Sequence, residues 1–320
     1  MGVPRFRLDS AFSPAADQPH AISEISAAIE RGERMMTLLG ATGATPLSVS
    51  AIESVVGSTG TDLVTMMSTG TLSVSAIETV TGSTFATDVV QYLAAGVTVA
   101  LNGVESVIGT TGGADAARMI GTTLSVSAIE SVLGTSGTSD KVTMLAAGSL
   151  TVSGVESVVG SGGTDVVTML AAPSGTNSIN VSLVETVVGT AGVDAFVFSG
   201  TVGVKVTGGG GIDTYTAGGG ADSFVFTQVS DSPTGSADQI TGFVSGTDKL
   251  DLSAITAGSG SLVASMALLN SVNGGDGLPH GFFDTTTKIL HLDVGTPDGL
   301  ADMQIKLNGL ASLSNGDIIW

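Results

Sequence analysis

Asp213 and Asp222 stand nine residues apart, each the sixth residue of a glycine-rich nine-residue unit. The first unit reads Gly208-Gly209-Gly210-Gly211-Ile212-Asp213-Thr214-Tyr215-Thr216, and the second Ala217-Gly218-Gly219-Gly220-Ala221-Asp222-Ser223-Phe224-Val225. Both follow G-G-x-G-x-D-x-U-x, with U a large apolar residue, except that Ala217 opens the second. Glycine adopts turn torsions that residues bearing a Cβ resist. Such a turn aims carbonyl oxygens inward, and the Asp adds a hard anionic oxygen, a donor set that suits calcium. Gly208, Gly210 and Asp213, with Ala217, Gly219 and Asp222, are therefore the expected metal-binding positions. The apolar residue at the eighth place starts a short strand that points into a core.

The elements that must position these turns are legible upstream. Leu47-Ser48-Val49-Ser50-Ala51-Ile52-Glu53-Ser54-Val55-Val56-Gly57 returns nearly intact from Leu72 and from Leu124. Looser copies carry Glu105, Glu156 and Glu185, so that with Glu53, Glu78 and Glu130 six glutamates recur about every 26 residues. After each comes a Gly/Ser/Thr turn ending in an aspartate: Asp62, Asp88, Asp115, Asp140, Asp165 and Asp194. A fixed period of this size means a stacked array. Gly and β-branched residues interrupt every potential helical turn, so short strands are expected. The sequence predicts an all-β, right-handed parallel β-solenoid with one coil of about 26 residues per repeat. Stacked glutamates repel; they either face water, the favoured reading, or are bridged by cations. The turn aspartates serve as further cation ligands or as plain turn residues.

Composition narrows the class. Gly makes up 46 of 320 residues, charged residues 12% and hydrophobic residues 42%, a balance unlike that of disordered chains. The net charge of −19 repels nucleic acid and attracts divalent cations. There is no Cys, so neither disulfides nor thiolate metal sites exist. His20, His280 and His291 are scattered, without an H-E-x-x-H pattern or a G-x-S-x-G elbow, and no catalytic constellation is expected. The first 30 residues lack the apolar core of a signal peptide. The apolar window from Val89 to Val104 is broken by Gln91, Gly96, Thr98, Asn102 and Gly103, so two strands and a turn are expected rather than a membrane span.

The nine-residue units resemble the RTX (hemolysin-type) calcium-binding repeat. In that family the turns alternate between the two edges of a flattened coil, so turns about 18 residues apart stack. The resemblance implies that the turn with Gly189, Ala191 and Asp194 shares an ion with the turn of Asp213, with Asp222 on the opposite edge. The following stretch, from Asp238 through Asp248-Lys249-Leu250-Asp251-Leu252-Ser253 and on to Asp317-Ile318-Ile319-Trp320, is similar to the C-terminal domain of serralysin-type secreted proteases. It adds Asp238, Asp248 and Asp251 as metal candidates. It also implies Ca2+ as cofactor, a type I (ABC) secretion apparatus as partner, and a location outside the cell or on its surface. The last four residues then read either as an export signal or as a closing strand.

Residues 1–45 are of another kind. Phe6-Arg7-Leu8-Asp9-Ser10, Asp17-Gln18-Pro19-His20 and Thr37-Leu38-Leu39-Gly40-Ala41-Thr42-Gly43 resemble the N-terminus of the excision-repair helicase family UvrB. There Gln18 would contact adenine, and Gly40 to Gly43 would open a phosphate loop. That loop requires G-x-x-x-x-G-K-[ST]; Pro46 and Leu47 stand where Lys and Ser or Thr are needed, leaving Gln18, Gly40 and Gly43 vestigial. A helix carrying Ile22, Ile25 and Ile29, then a strand over 35–39, give this segment a short α/β character. The expected organisation is 1–45, a repeat solenoid over 46–200, a calcium-binding roll over 201–255 and a β-rich cap over 256–320. The expected function is that of a secreted, non-enzymatic, calcium-binding structural or adhesive protein. The alternatives are the export remnant of a larger secreted enzyme and, more weakly, a repair ATPase.

Overall fold

Val, Leu and Met alternating with Ser and Thr over three to six residues demand strands with one buried face. The structure, a computed structural model, is nearly all β: parallel strands stacked coil upon coil into a β-solenoid. It describes residues 37–39, 47–57, 60–85, 87–137, 139–171, 177–257, 260–261, 268–269, 280–294 and 300–320. The helix expected over the first 32 residues, Gln18, and Gly40 to Gly43 lie outside the described residues. The expected early strand is present as Thr37–Leu39, paired in parallel with Ser54–Val56. The chain divides into two units, Met1–Gly121 and Thr122–Trp320.

In the first unit, strands alternate between two parallel sheets. One sheet runs Thr37–Leu39, Ser54–Val56, Thr71–Ser75, Val89–Tyr92, Ser106–Ile108; the other runs Leu47–Val49, Leu63–Met66, Thr79–Thr81, Thr98–Asn102, Ala116–Met119. Val55, Val64, Leu72, Val80, Val90 and Val107 fill the space between them and are buried. The apolar window before Val104 is the two strands Val89–Tyr92 and Thr98–Asn102, as expected. Among the described residues no helix is long and apolar enough to cross a membrane.

The second unit repeats the scheme from Thr123–Ser127 and Ser131–Leu133 onward. Its core changes along the chain. Val142, Val158 and Val167 give way to Phe196, Phe198, Tyr215, Phe224 and Phe243. Phe196 stacks on Tyr215 at 5.1 Å and Tyr215 meets Phe224 edge-on at 5.5 Å. Beyond Asp238–Thr241 the first sheet continues through Met303–Asn308 and the antiparallel strands Ile289–Asp293 and His280–Asp284. The second sheet ends on Ile318–Ile319, paired with Leu250 and Asp251, so two of the last four residues form a strand.

The coil is shorter than the sequence repeat. Leu47 pairs with Val64, Thr71 with Val89 and Thr123 with Lys141, 17 or 18 residues on. Each repeat supplies three strands, while each coil uses two. One repeat therefore spans one and a half coils, and successive copies begin on opposite sheets. The expectation of one coil per 26-residue repeat is corrected on this point: periodicity counts strands, and only the pairing shows how many close a coil. Consecutive glutamates accordingly fall on opposite edges and do not stack on one another.

Candidate metal site

Register lays the acidic residues into two columns, one along each edge of the second unit. On one edge Asp194, Asp213 and Asp238 follow each other coil by coil. The Asp194 N–H donates to Asp213 Oδ1 at 2.9 Å, and the Asp213 N–H to Asp238 Oδ1 at 2.8 Å. On the other edge the Val204 N–H donates to Asp222 Oδ1 at 2.9 Å, and the Asp222 N–H to Asp248 Oδ1 at 3.0 Å. All five carboxylates are buried, Asp194, Asp213 and Asp238 completely. The stacking of the Asp194 and Asp213 turns and the placement of Asp222 on the opposite edge thus match the expectation.

The second carboxylate oxygens differ in how they are met. Thr190 N–H donates to Asp194 Oδ2 at 2.7 Å, Gly218 N–H to Asp222 Oδ2 at 2.8 Å and Val244 N–H to Asp248 Oδ2 at 2.8 Å. For Asp213 and Asp238 the Oδ2 atoms are reached by a single shared donor, the Tyr215 hydroxyl, at 3.5 and 3.4 Å. Burial, with the Asp194 charge adding, pushes the Asp213 carboxyl up to about 7. Burial with the Asp213 charge pushes Asp238 up to about 8. Burial also raises Asp248.

The glycine turns supply close backbone contact. A Cβ on Gly209 would overlap the Thr190 carbonyl oxygen, and one on Gly211 would lie 2.5 Å from that of Gly192. Gly210 faces the Ala191 carbonyl oxygen at 3.4 Å from its Cβ position. Across the coil, Gly219 N–H donates to the Gly200 carbonyl at 2.8 Å. Gly189 and Gly208 sit beside the carboxylates of Asp194 and Asp213, each turn's glycine leaving room for its own aspartate. Ala217 is half-buried, its N–H donating to the Thr241 carbonyl. Asp251 stands apart: it is paired with Ser253, whose hydroxyl and N–H donate to Asp251 Oδ1 at 2.6 and 3.1 Å.

Sequence reasoning passed over Asp231. It is buried, takes hydrogen bonds from Thr227 and Gln228 on Oδ2, and leaves Oδ1 unpartnered. Its charge adds to the rise of both Asp213 and Asp238. The adjacent Ser232 hydroxyl accepts the Asp238 N–H at 2.8 Å. A lone Asp-Ser pair outside a Gly turn gives no periodic signal, and only the fold brings it to this edge.

In the repeats the aspartates accept backbone N–H groups of their own turns, and Asp115 and Asp165 also accept those of Gly96 and Gly148 one coil before. Ser83, Thr110, Thr135 and Ser161 each donate a backbone N–H to the Oδ2 of the aspartate four or five residues later, at 2.5–2.6 Å. Asp88 and Asp140 leave Oδ1 buried without a partner. The glutamates lie at the rim, and the Oε2 atoms of Glu78, Glu105, Glu156 and Glu185 accept the N–H of Asp62, Asp88, Asp140 and Asp165 one coil before, at 2.7–2.8 Å. At the chain end Asp317 accepts from the Ser245 hydroxyl and the Gly246 N–H, both at 2.7 Å. Against the effect of burial, these bonds and those from Ser314 hold its carboxyl down at about 2. Among the described residues no three His, Cys, Asp or Glu side chains form a metal cluster. Any cation held at these turns would therefore draw on backbone carbonyls as well as aspartates.

A parallel β-solenoid whose glycine turns carry stacked aspartates along both edges defines the class. The family model described as Peptidase M10 serralysin C terminal matches residues 48–320, and the chain belongs to that family. The match is to the C-terminal domain of the family. The chain is also similar, over a short stretch, to UvrABC system protein B. With the protein of Gemmatimonas aurantiaca it is 58% identical over 38 residues, which is 12% of this chain and 5% of the relative. With that of Nostoc sp. it is 47% identical over 53 residues, 16% of this chain and 8% of the relative. The chain thus spans less than a tenth of the length of the curated relatives it matches.

Proposed function

We propose that this chain is a secreted, non-enzymatic, calcium-binding β-solenoid, exported by a type I (ABC) apparatus and acting outside the cell as a structural, surface-layer, matrix or adhesive element. The observation that carries the reading is the column Asp194–Asp213–Asp238. Three buried carboxylates follow one another there, and two of them share one long hydroxyl contact for their second oxygens. Burying like charges without a counter-ion is costly, and an all-oxygen donor set fits calcium. Gly189, Ala191, Gly208 and Gly210 would offer carbonyls to one edge, and Ala217 and Gly219 with Asp222 and Asp248 would serve the other. Asp251, whose Oδ1 takes the Ser253 hydroxyl and N–H, is a further candidate ligand outside the two columns. Membership of a serralysin C-terminal family supports export. A ligand that binds only the folded state stabilises it, so a chain unfolded at low calcium could pass an exporter and fold beyond it.

Isothermal titration calorimetry of the full chain with calcium chloride tests the site. Saturable binding, weakened about tenfold or more in Asp213→Asn and Asp222→Asn, is expected. No heat beyond dilution at millimolar calcium would rule the reading out. A second reading, favoured by the family description itself, is that the domain is the carrier of a larger secreted enzyme. An antibody to residues 208–225 separates the two by the size of the product in culture medium.

A further inference from the structure

We propose that in the repeats a rim glutamate (Glu78, Glu105, Glu156 or Glu185) takes the acceptor place that a buried aspartate holds in the glycine-turn segment and staples the coils from outside, so that the repeats fold without the calcium that the glycine-turn segment needs. The second half of that statement rests on the calcium reading above; the first does not. The geometry is shared. In the glycine-turn segment the N–H of Asp194 and of Asp213 is received by the aspartate one coil on, at 2.9 and 2.8 Å. In the repeats the corresponding N–H of Asp62, Asp88, Asp140 and Asp165 is received by a glutamate at 2.7–2.8 Å. The extra methylene matters because the glutamate has no glycine turn ahead of it. Its carboxylate reaches the N–H from the rim, where Glu105, Glu156 and Glu185 are half-buried and Glu78 is exposed.

The charge balance separates the two segments. At the rim, water and salt screen the remaining glutamate charge, while the buried aspartate beneath is held by an N–H of its own turn, as for Asp88 and Asp140. Asp213 and Asp238 are both buried, with one phenol between their second oxygens. Each accepts one backbone N–H on Oδ1, but among the described residues no N–H of its own turn meets the second oxygen.

Hydrogen exchange of the full chain at pH 7.5, in chelator and in millimolar calcium chloride, tests the proposal. Strands Leu63–Met66, Val89–Tyr92, Lys141–Met144 and Val166–Met169 are expected to be protected equally in both. Strands Asp194–Ser199, Thr214–Thr216, Ser223–Val225 and Asp238–Thr241 should gain protection only with calcium. Repeat strands that exchange at unfolded rates in chelator would overturn the proposal. So would a calcium-dependent gain at Asp88 or Asp140, whose Oδ1 atoms are unpaired. Protection of 194–241 in chelator would instead sink the calcium reading and leave the staple standing. Glu105→Ala should speed exchange at the Asp88 amide about tenfold or more, with no rescue by calcium, and Glu105→Gln, which keeps an acceptor oxygen, should speed it less. Unchanged exchange in Glu105→Ala contradicts the role.

Discussion

Asp213 and Asp238 tie the stability of the calcium-free chain to pH. Their carboxyls rise from an ordinary 3.8 to about 7 and about 8 on folding, chiefly through burial. A carboxyl raised by folding contributes stability that is full below the unfolded value and is lost as pH climbs through the folded one. In chelator the melting temperature of the second unit should therefore fall steadily from pH 5 to pH 8, as followed by differential scanning calorimetry. Asp238→Asn removes one of the two charges and should raise the chelator melting temperature at pH 8 while shrinking the rise that calcium gives. A flat profile in chelator would show that the column ionises freely. Asp317 runs the other way. Its hydrogen bonds from Ser245 and Gly246 hold it near 2, so it stabilises above about pH 4 and releases the terminal strand as pH falls towards 2.

At the scale of elements, the turn before each repeat glutamate has its own logic. Ala51, Ala76, Ala128 and Leu183 adopt positive φ of 51–56°, and Gly103 and Gly154 take the same place at 61°. The carbonyl of this residue presses on the glycine closing a strand one coil before: Leu183 on Gly160, Gly154 on Gly134, Ala76 on Gly57. A methyl on Gly160 would overlap the Leu183 carbonyl oxygen, so Gly160→Ala should cost about 2–3 kcal/mol in urea unfolding. Leu183→Gly, at an exposed left-handed position, should stabilise by about 0.5–1 kcal/mol. The repeat, its strands and the Gly-turn aspartates were legible because each leaves a periodic mark. Their pairing was not, because a period of three strands fits a coil of two only at one and a half turns. That mismatch also hid the glutamates' partners: read as a column of like charges, Glu78, Glu105, Glu156 and Glu185 are caps on the N–H of an aspartate one coil before. Asp231 stayed hidden for the opposite reason, being a single residue outside any repeat.

For the molecule as a whole, the change of core along the second unit parallels the change of edge chemistry. Where glycine turns replace the Ser/Thr turns, the aliphatic core of Val142 and Val167 becomes the aromatic cluster of Phe196, Tyr215 and Phe224. The Tyr215 ring belongs to that aromatic cluster while its hydroxyl reaches both Asp213 and Asp238, which links the core to the edge. The last strand, Ile318–Ile319, pairs with Leu250 and Asp251 in the sheet that the Asp222–Asp248 column borders. The central claim, that calcium completes this segment, is tested most directly by far-ultraviolet circular dichroism of the full chain at pH 7.5 during a calcium titration from chelator. A saturable gain of β signal, reversed by chelator and lost in an Asp213→Asn/Asp222→Asn double variant, is the predicted result. A spectrum already complete in chelator and unmoved by millimolar calcium would contradict it.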